Sequence, residues 1–410
     1  MRLLFDRIPH VRSFAAGLFV EAGSRDEQAA KAGLTHLLEH MLFRGTELRS
    51  GRGLSEAVDG LGAELNAFTT REHICVLARG IDTRFEAVIR LLAEVWQLPA
   101  LAGTDLELER RVVLQELTAY AEDGEDLAQD LFMAAAWPGH GLGRGVLGAP
   151  QTVAAITIDD LRWRHAQVRG TRGAVLSIAG NVDDAAVELV AEVFQANGPG
   201  DSRPLQPPVF SPGACGRVVA GEQVHLCLGG LGAPAGHPDL YALEVLGCLL
   251  GGGPSSRLFT QVREERGYAY DIYAHPIACL DGGLFMVSTA CGPADARDVT
   301  AIISDALADI AAGGASADEL SRAKTQLEAE VLMGLESPHL RMQRAAQDEV
   351  YLGREVPMAE FLAALEAVSP DDVGRVAGRV AEGLALGVAG PDRAVRLMTE
   401  GKGGVRHGQA

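Results

Sequence analysis

"GLTHLLEHMLFRGT", Gly33 to Thr46, sets two histidines and a glutamate among leucines. His36, Glu39 and His40 stand at i, i+3 and i+4, positions that share one face of an α-helix. The stretch is either a core helix burdened with three polar residues or a metal site. Two imidazoles one helical turn apart can hold one Zn2+, and a catalytic zinc needs three protein ligands plus an open position. HxxEH is the inverted form of the HExxH zinc motif. A lone His on an apolar helix is more often a satisfied core residue, so the surroundings must decide. The helix is read as opened by Thr35 and closed near Gly45.

A second amphipathic helix is predicted over 105–122. Thr104 and Glu107 form a capping box at its start, and apolar residues at 106, 112, 113, 114 and 117 supply a buried face. Glu109 and Glu116 lie seven residues apart, two turns along one face, and either could face the first helix.

The chain repeats itself. "FAAGLFVEAGS" (14–24) parallels "QVHLCLGGLG" (223–232), and "LTHLLEHML" (34–42) parallels "LYALEVLGCLL" (240–250). "LSEAVDGLGAELNAFTT" (54–70) parallels "LFTQVREERGYAYDIYA" (258–274), and "ELERRVVLQEL" (107–117) parallels "ELSRAKTQLEAEV" (319–331). "TIDDL" (157–161) pairs with "SPDDV" (369–373), and "IAGNVD" (178–183) with "VAGPD" (388–392). The order is kept at offsets near 210 residues, which indicates duplication of an α+β unit of about 200 residues. A segment rich in Pro and Gly, 196–216, lies at the midpoint. The expected organisation is an N-terminal zinc-binding domain at 1–200, a linker at 201–216 and a C-terminal domain without metal at 217–410. The second copy of the histidine helix carries no His, so the fold itself does not demand those residues.

Composition narrows the classes. Hydrophobic residues make up 47% of the 410, enough for substantial cores. A net charge of −19 argues against nucleic acid or an anionic membrane as the main partner. No apolar run is long enough for a membrane span, and the N-terminus lacks the features of a signal peptide. Six scattered cysteines (75, 215, 227, 248, 279, 291) contain no CxxC pair, which excludes a cysteine-rich zinc knuckle. Reduced, buried thiols and a cytoplasmic location are the default expectation. "GGGPSS" (251–256) lacks the Lys-Ser/Thr of a phosphate loop and is read as a turn between helices. The acidic run 123–130 is read as solvated.

Together these residues resemble the pitrilysin/insulinase family of zinc metallopeptidases, the inverzincins, in its mitochondrial-processing-peptidase-like branch. "HLLEHMLFRGT" looks like the family's zinc motif, and Glu116, 76 residues beyond His40, stands where the family has its third ligand. "AGSRDE" (22–27), "LNAFTTREH" (65–73), "GRGVLG" (143–148), "SSRLFTQVREERGYAYDIY" (255–273) and "VAG" (388–390) are similar to further family blocks, so the resemblance spans nearly the whole chain. Family members usually begin with a few more residues, which implies a shortened edge strand here.

The resemblance implies an α+β fold of two homologous domains, each a largely antiparallel sheet packed with helices, forming a clam-like chamber. It implies one Zn2+ per chain on His36, His40 and Glu116, with Glu39 as general base on the zinc-bound water and Glu109 supporting the ligands. Asn66 and Ala67 match the strand that adds substrate as an extra strand, with Asn66 bonding near the scissile bond. Phe43 matches a residue lining the pocket for the side chain after the cut. Arg263 and Tyr270 match a family pair that holds a substrate carbonyl and stabilises the oxyanion. The expected activity is endopeptidase cleavage of short or unfolded peptides. The expected partners are peptide substrates and a second chain, in a homodimer or a heterodimer with a related subunit. Two alternatives differ in class or breadth: a non-catalytic scaffold subunit of the same fold, and a peptidase dedicated to one leader or presequence. Intact HxxEH argues against the scaffold; a cleavage profile separates broad from dedicated.

Overall fold

The computed structural model describes residues 1–169, 173–194 and 205–400, with the backbone of 406–407. It consists of two compact units. The first comprises Met1–Leu117, Gly145–Pro204 and Leu332–Val356; the second comprises Thr118–Arg144, Leu205–Val331 and Pro357–Ala410.

The first unit is built on strands β1 (Arg2–Arg7), β2 (Ser13–Val20), β3 (Glu64–Thr69), β4 (Ile74–Ile81) and β5 (Val175–Gly180), in the order β1-β5-β2-β4-β3. Only β1 and β5 run parallel; the other pairs are antiparallel. The second unit carries β6 (Gly213–Val218), β7 (Val224–Leu231), β8 (Ala269–Ala278), β9 (Gly283–Cys291), β10 (Ala385–Gly390) and β11 (Arg406–His407). Its order is β11-β6-β10-β7-β9-β8. Apart from β11, this is the first order again, with the one parallel pair at the same place (β6 with β10). All six repeated sequence segments fall on matching strands and helices. Both sheets are largely antiparallel, as expected.

Five helices of the first half matter below: α1 (Leu34–Leu42), α2 (Gly51–Leu61), α3 (Phe85–Gln97), α4 (Gly103–Tyr120) and α5 (Gly124–Ala136). In the first unit, α1 and α3 cover one face of the sheet, packing Leu37, Leu38, Met41 and Val88 onto Phe14, Ala16, Leu18 and Val20. The other face of β2 presents Ala15 and Phe19. These meet Met342, Ala346 and Val350 from the helix Pro338–Leu352. A strand buried on both faces has no reason to alternate, which is why β2 reads as the unbroken apolar run SFAAGLFV. The second unit has the reciprocal arrangement. Leu386 and Val388 of β10 face the core of their own half, while Ala385 and Ala389 face α5. Each unit thus takes one helix from the other half of the sequence, a feature absent from the expected split at 200 and 217.

Three expectations need correction in detail. The start of the expected linker lies outside the described residues, and its end does not behave as a linker. Strand β6 begins at Gly213, with Ala214 and Cys215 buried. Helix α4 begins at Gly103, so Thr104 is a first-turn residue and not the cap. On its expected apolar face Leu106 and Val113 are buried, but Val112 is exposed. All six cysteines are free, and only Cys248 is not fully buried. Among the described residues, no helix is long and apolar enough to cross a membrane.

Candidate metal centre

Helix α1 is fixed from both ends of its surroundings. It does not start at Thr35. Its cap is Gly33, at φ +90°, a left-handed conformation that glycine adopts without penalty. A Cβ there would run into the Leu147 carbonyl, so glycine also permits the close approach of the 143–148 segment. The N–H groups at the start of the helix go to a carboxylate just upstream in the chain. Glu27 accepts from Gly33 N (2.8 Å) and from Thr35 N (2.6 Å). Burial raises the Glu27 carboxyl above its ordinary range, against the pull of these hydrogen bonds. Arg164, also buried, donates to Thr35 Oγ1 at 3.1 Å and to the Gly23 carbonyl at 2.9 Å. With Leu34, Leu37, Leu38, Met41 and Leu42 sunk in the core, His36, Glu39 and His40 are left on the other face.

Helix α4 answers which glutamate does what. Glu116 turns its carboxylate to both histidines, 3.7 Å from His36 Nε2 and 3.4 Å from His40 Nε2. One ligand atom from each of the three residues can be chosen so that all lie within 4.8 Å of one another. A tetrahedral zinc with bonds near 2 Å separates its ligands by about 3.3 Å, so these atoms need move only slightly to hold one ion. Glu109 instead sits behind His40, whose Nδ1 donates to Glu109 Oε2 at 3.0 Å. That bond orients the ring and turns Nε2 toward Glu116, the nitrogen that would serve as metal ligand. Arg44 closes the chain, its Nε 3.3 Å from Glu109 Oε1. His36 is buried, and burial, with His40 nearby, lowers its pKa to about 4. It is therefore neutral at pH 7, the form that binds metal. The residues present fit a zinc ion.

Glu39 lies half-buried on the same face. Its Oε2 accepts from Thr69 Oγ1 at 2.6 Å. Burial pushes its carboxyl up, and the Thr69 bond opposes that.

The remaining predicted residues are distributed as follows. Asn66 is exposed on β3, the edge strand of its sheet, and its side-chain carbonyl accepts from Ala67 N at 2.9 Å. Ala67 is buried on the core side. Phe43, just past α1, is half-buried and packs on the core. In the second unit Arg263 and Tyr270 do come together. The Arg263 guanidinium lies 4.3 Å from the Tyr270 ring centre and 4.7 Å from that of Phe259. Tyr270 lies where the β8–β9 register shifts, between Ala269 and Ile272, and is 73% exposed. Sequence reasoning missed Thr69, Glu27 and Arg44. All three lay inside quoted blocks, but nothing in a lone Thr, Glu or Arg says which element it reaches.

Residues 2–150 match the sequence profile of the insulinase family, peptidase family M16, and residues 155–327 that of the peptidase M16 inactive domain. An uncharacterized zinc protease of Streptomyces coelicolor is 37% identical over 402 residues, 95% of this chain and 88% of its own. The chain belongs to the insulinase (M16) family. A Bacillus subtilis protein also named an uncharacterized zinc protease is 32% identical over 394 residues, covering 95% of this chain and 96% of its own. Among solved structures, a peptidase M16 inactive domain from Pseudomonas fluorescens superposes with a TM-score of 0.87 at 21% identity, over 95% of both chains. A protease from Helicobacter pylori gives 0.85 at 19% identity, over 95% of this chain and 96% of its own. At such identities the structures speak for the fold of this M16 chain alone.

Proposed function

We propose that this M16 chain is a zinc-dependent endopeptidase acting on short or unfolded peptides. One observation carries the reading: the donor atoms of His36, His40 and Glu116 converge while the carboxylate of Glu39 stands beside them without being needed as a ligand. A bound zinc ion would supply Lewis acidity, making water a nucleophile near neutral pH and polarising the scissile carbonyl. The chain's own groups do the rest. His36 and His40 hold their lone pairs toward one point, His40 because Glu109 and Arg44 fix its ring. Glu39 accepts the proton of the attacking water and returns it to the leaving amine, so it ends the cycle as it began. Among the described residues strand β3 has no partner on its outer edge, along which an extended peptide backbone can add, with Asn66 on that strand. The roles of Phe43, Arg263 and Tyr270 rest on their sequence motifs.

The test pairs metal content with cleavage. Purified wild type and Glu39→Gln should each bind about one zinc per chain. Only wild type should cleave a fluorogenic peptide library. Absence of zinc after reconstitution would sink the reading. Zinc with equal cleavage by both proteins would remove Glu39 from its role.

A further inference from the structure

The carboxylate of a general base is useful only if it points correctly, and a glutamate rotates broadly about its last torsion. Glu39 is only half-buried, so packing alone does not fix that torsion. One group does touch it: Thr69 Oγ1 donates to Oε2 at 2.6 Å.

Thr69 is held by more than its own strand. Along β3 side chains alternate, which puts Thr69 on the same face as the buried Ala67, toward α1. Its backbone ends the β3–β4 ladder opposite Ile74. The turn that follows is closed by Thr70, whose Oγ1 donates to the His73 carbonyl and accepts from Glu72 N and His73 N. That turn is pinned from outside. Ser24 N donates to Thr70 O, Arg25 N to Arg71 O, and the Arg25 guanidinium pairs with Glu72 at 2.5 Å in a buried salt bridge. The β-branched side chain then has little freedom at χ1. A hydroxyl on a rigid strand thus grips one oxygen of Glu39, Oε2, and leaves Oε1 out of that bond.

We propose that Thr69 is a positioning residue for Glu39, setting the orientation in which the base meets water. The inference rests on the peptidase reading above and adds a residue to it. Thr69 also stands three residues along β3 from Asn66. The strand that would receive the peptide therefore also aims the base.

Thr69→Val removes the hydroxyl and keeps the shape; Thr69→Ser keeps the hydroxyl. Thr69→Val should retain full zinc content and a KM within about twofold of wild type, with kcat lower by roughly 10- to 100-fold, the scale expected when a reacting group is misplaced. Thr69→Ser should recover most of that loss. A second readout needs no activity. In metal-free protein, the urea midpoints of Thr69→Val, Glu39→Gln and the double variant should be non-additive, because each single change already breaks the shared hydrogen bond. Wild-type kcat in Thr69→Val, an equal loss in Thr69→Ser, or strict additivity would each overturn the proposal while leaving the peptidase reading intact. A wild type that binds no zinc and cleaves nothing would overturn both. If Thr69→Val does not fold, Thr69→Ala takes its place with the same expectations.

Discussion

Glu109 shows how much a single carboxylate can do without touching the metal. It is buried, it accepts from His40 Nδ1, and Arg44 balances its charge. Glu109→Gln keeps the shape but lets the His40 ring choose its tautomer. Zinc affinity should fall by about 10- to 100-fold, read by competition with a chelator, while the thermal midpoint of the metal-free protein changes little. Asp239 carries a different kind of prediction. Arg375 and Arg379 donate to it at 2.9 and 2.6 Å, and the Arg375 bond above all draws its pKa down to about 2. Its unfolded value is near 4, so its contribution is fully present above that pH and is lost as pH falls toward 2. Asp239→Asn should cost about 2 kcal/mol at pH 7 by urea unfolding, and the difference from wild type should shrink between pH 4 and pH 2. At this scale the sequence was legible where spacing encodes geometry. His36, Glu39 and His40 stand at i, i+3 and i+4 on one helix, so their shared face could be anticipated, whereas spacing left Glu109 and Glu116 open and only the family resemblance pointed to Glu116. Glu27 and Thr69 could not be anticipated: Thr69 reaches a residue on another element, and Glu27, though close in sequence to Gly33 and Thr35, is of a residue type common on any surface.

Elements follow the same rule. The duplicated strands and helices were visible because six segments recur in order, and the two sheets share one strand order. What pattern reading mistook was the fate of apolar side chains and of the cap: Val112 on α4 is apolar and exposed, and Thr104 is a good cap residue placed two positions past the cap at Ala102. Nor did periodicity reveal which sheet covers which helix. Glycines record that contact instead. A Cβ on Gly387 of β10 would collide with the backbone of α5 at Ala128 O and Phe132 N, so the helix rides directly on the strand. A Cβ on Gly60, within α2, would meet nothing within 4 Å. Gly387→Ala should therefore destabilise by several kcal/mol or prevent folding, since backbone cannot step aside. Gly60→Ala should stabilise by about 0.5–1 kcal/mol through helix propensity. Denaturant midpoints of the two variants, run side by side, check both signs.

For the whole molecule, the exchange of helices between halves outweighs any single contact. Residues 1–204 contain all five strands of the first sheet and all of the proposed zinc ligands. They lack the helix Pro338–Leu352, which covers Ala15, Phe19, Cys75 and Val175. Expressed alone, this fragment should be insoluble, or compact with strong binding of a hydrophobic dye and no near-ultraviolet circular dichroism. A folded, soluble, zinc-binding fragment would show that the borrowed helix is dispensable.

The same exchange sets a clock on biosynthesis. The last strand of the first sheet, β5, ends at Gly180, but the helix that seals its back face ends at Leu352. At about 5–20 residues per second, the nascent chain spends roughly 10–30 s with a complete set of strands and one uncovered greasy side. Its first half waits, unfinished on one side, for a segment encoded well downstream of its last strand.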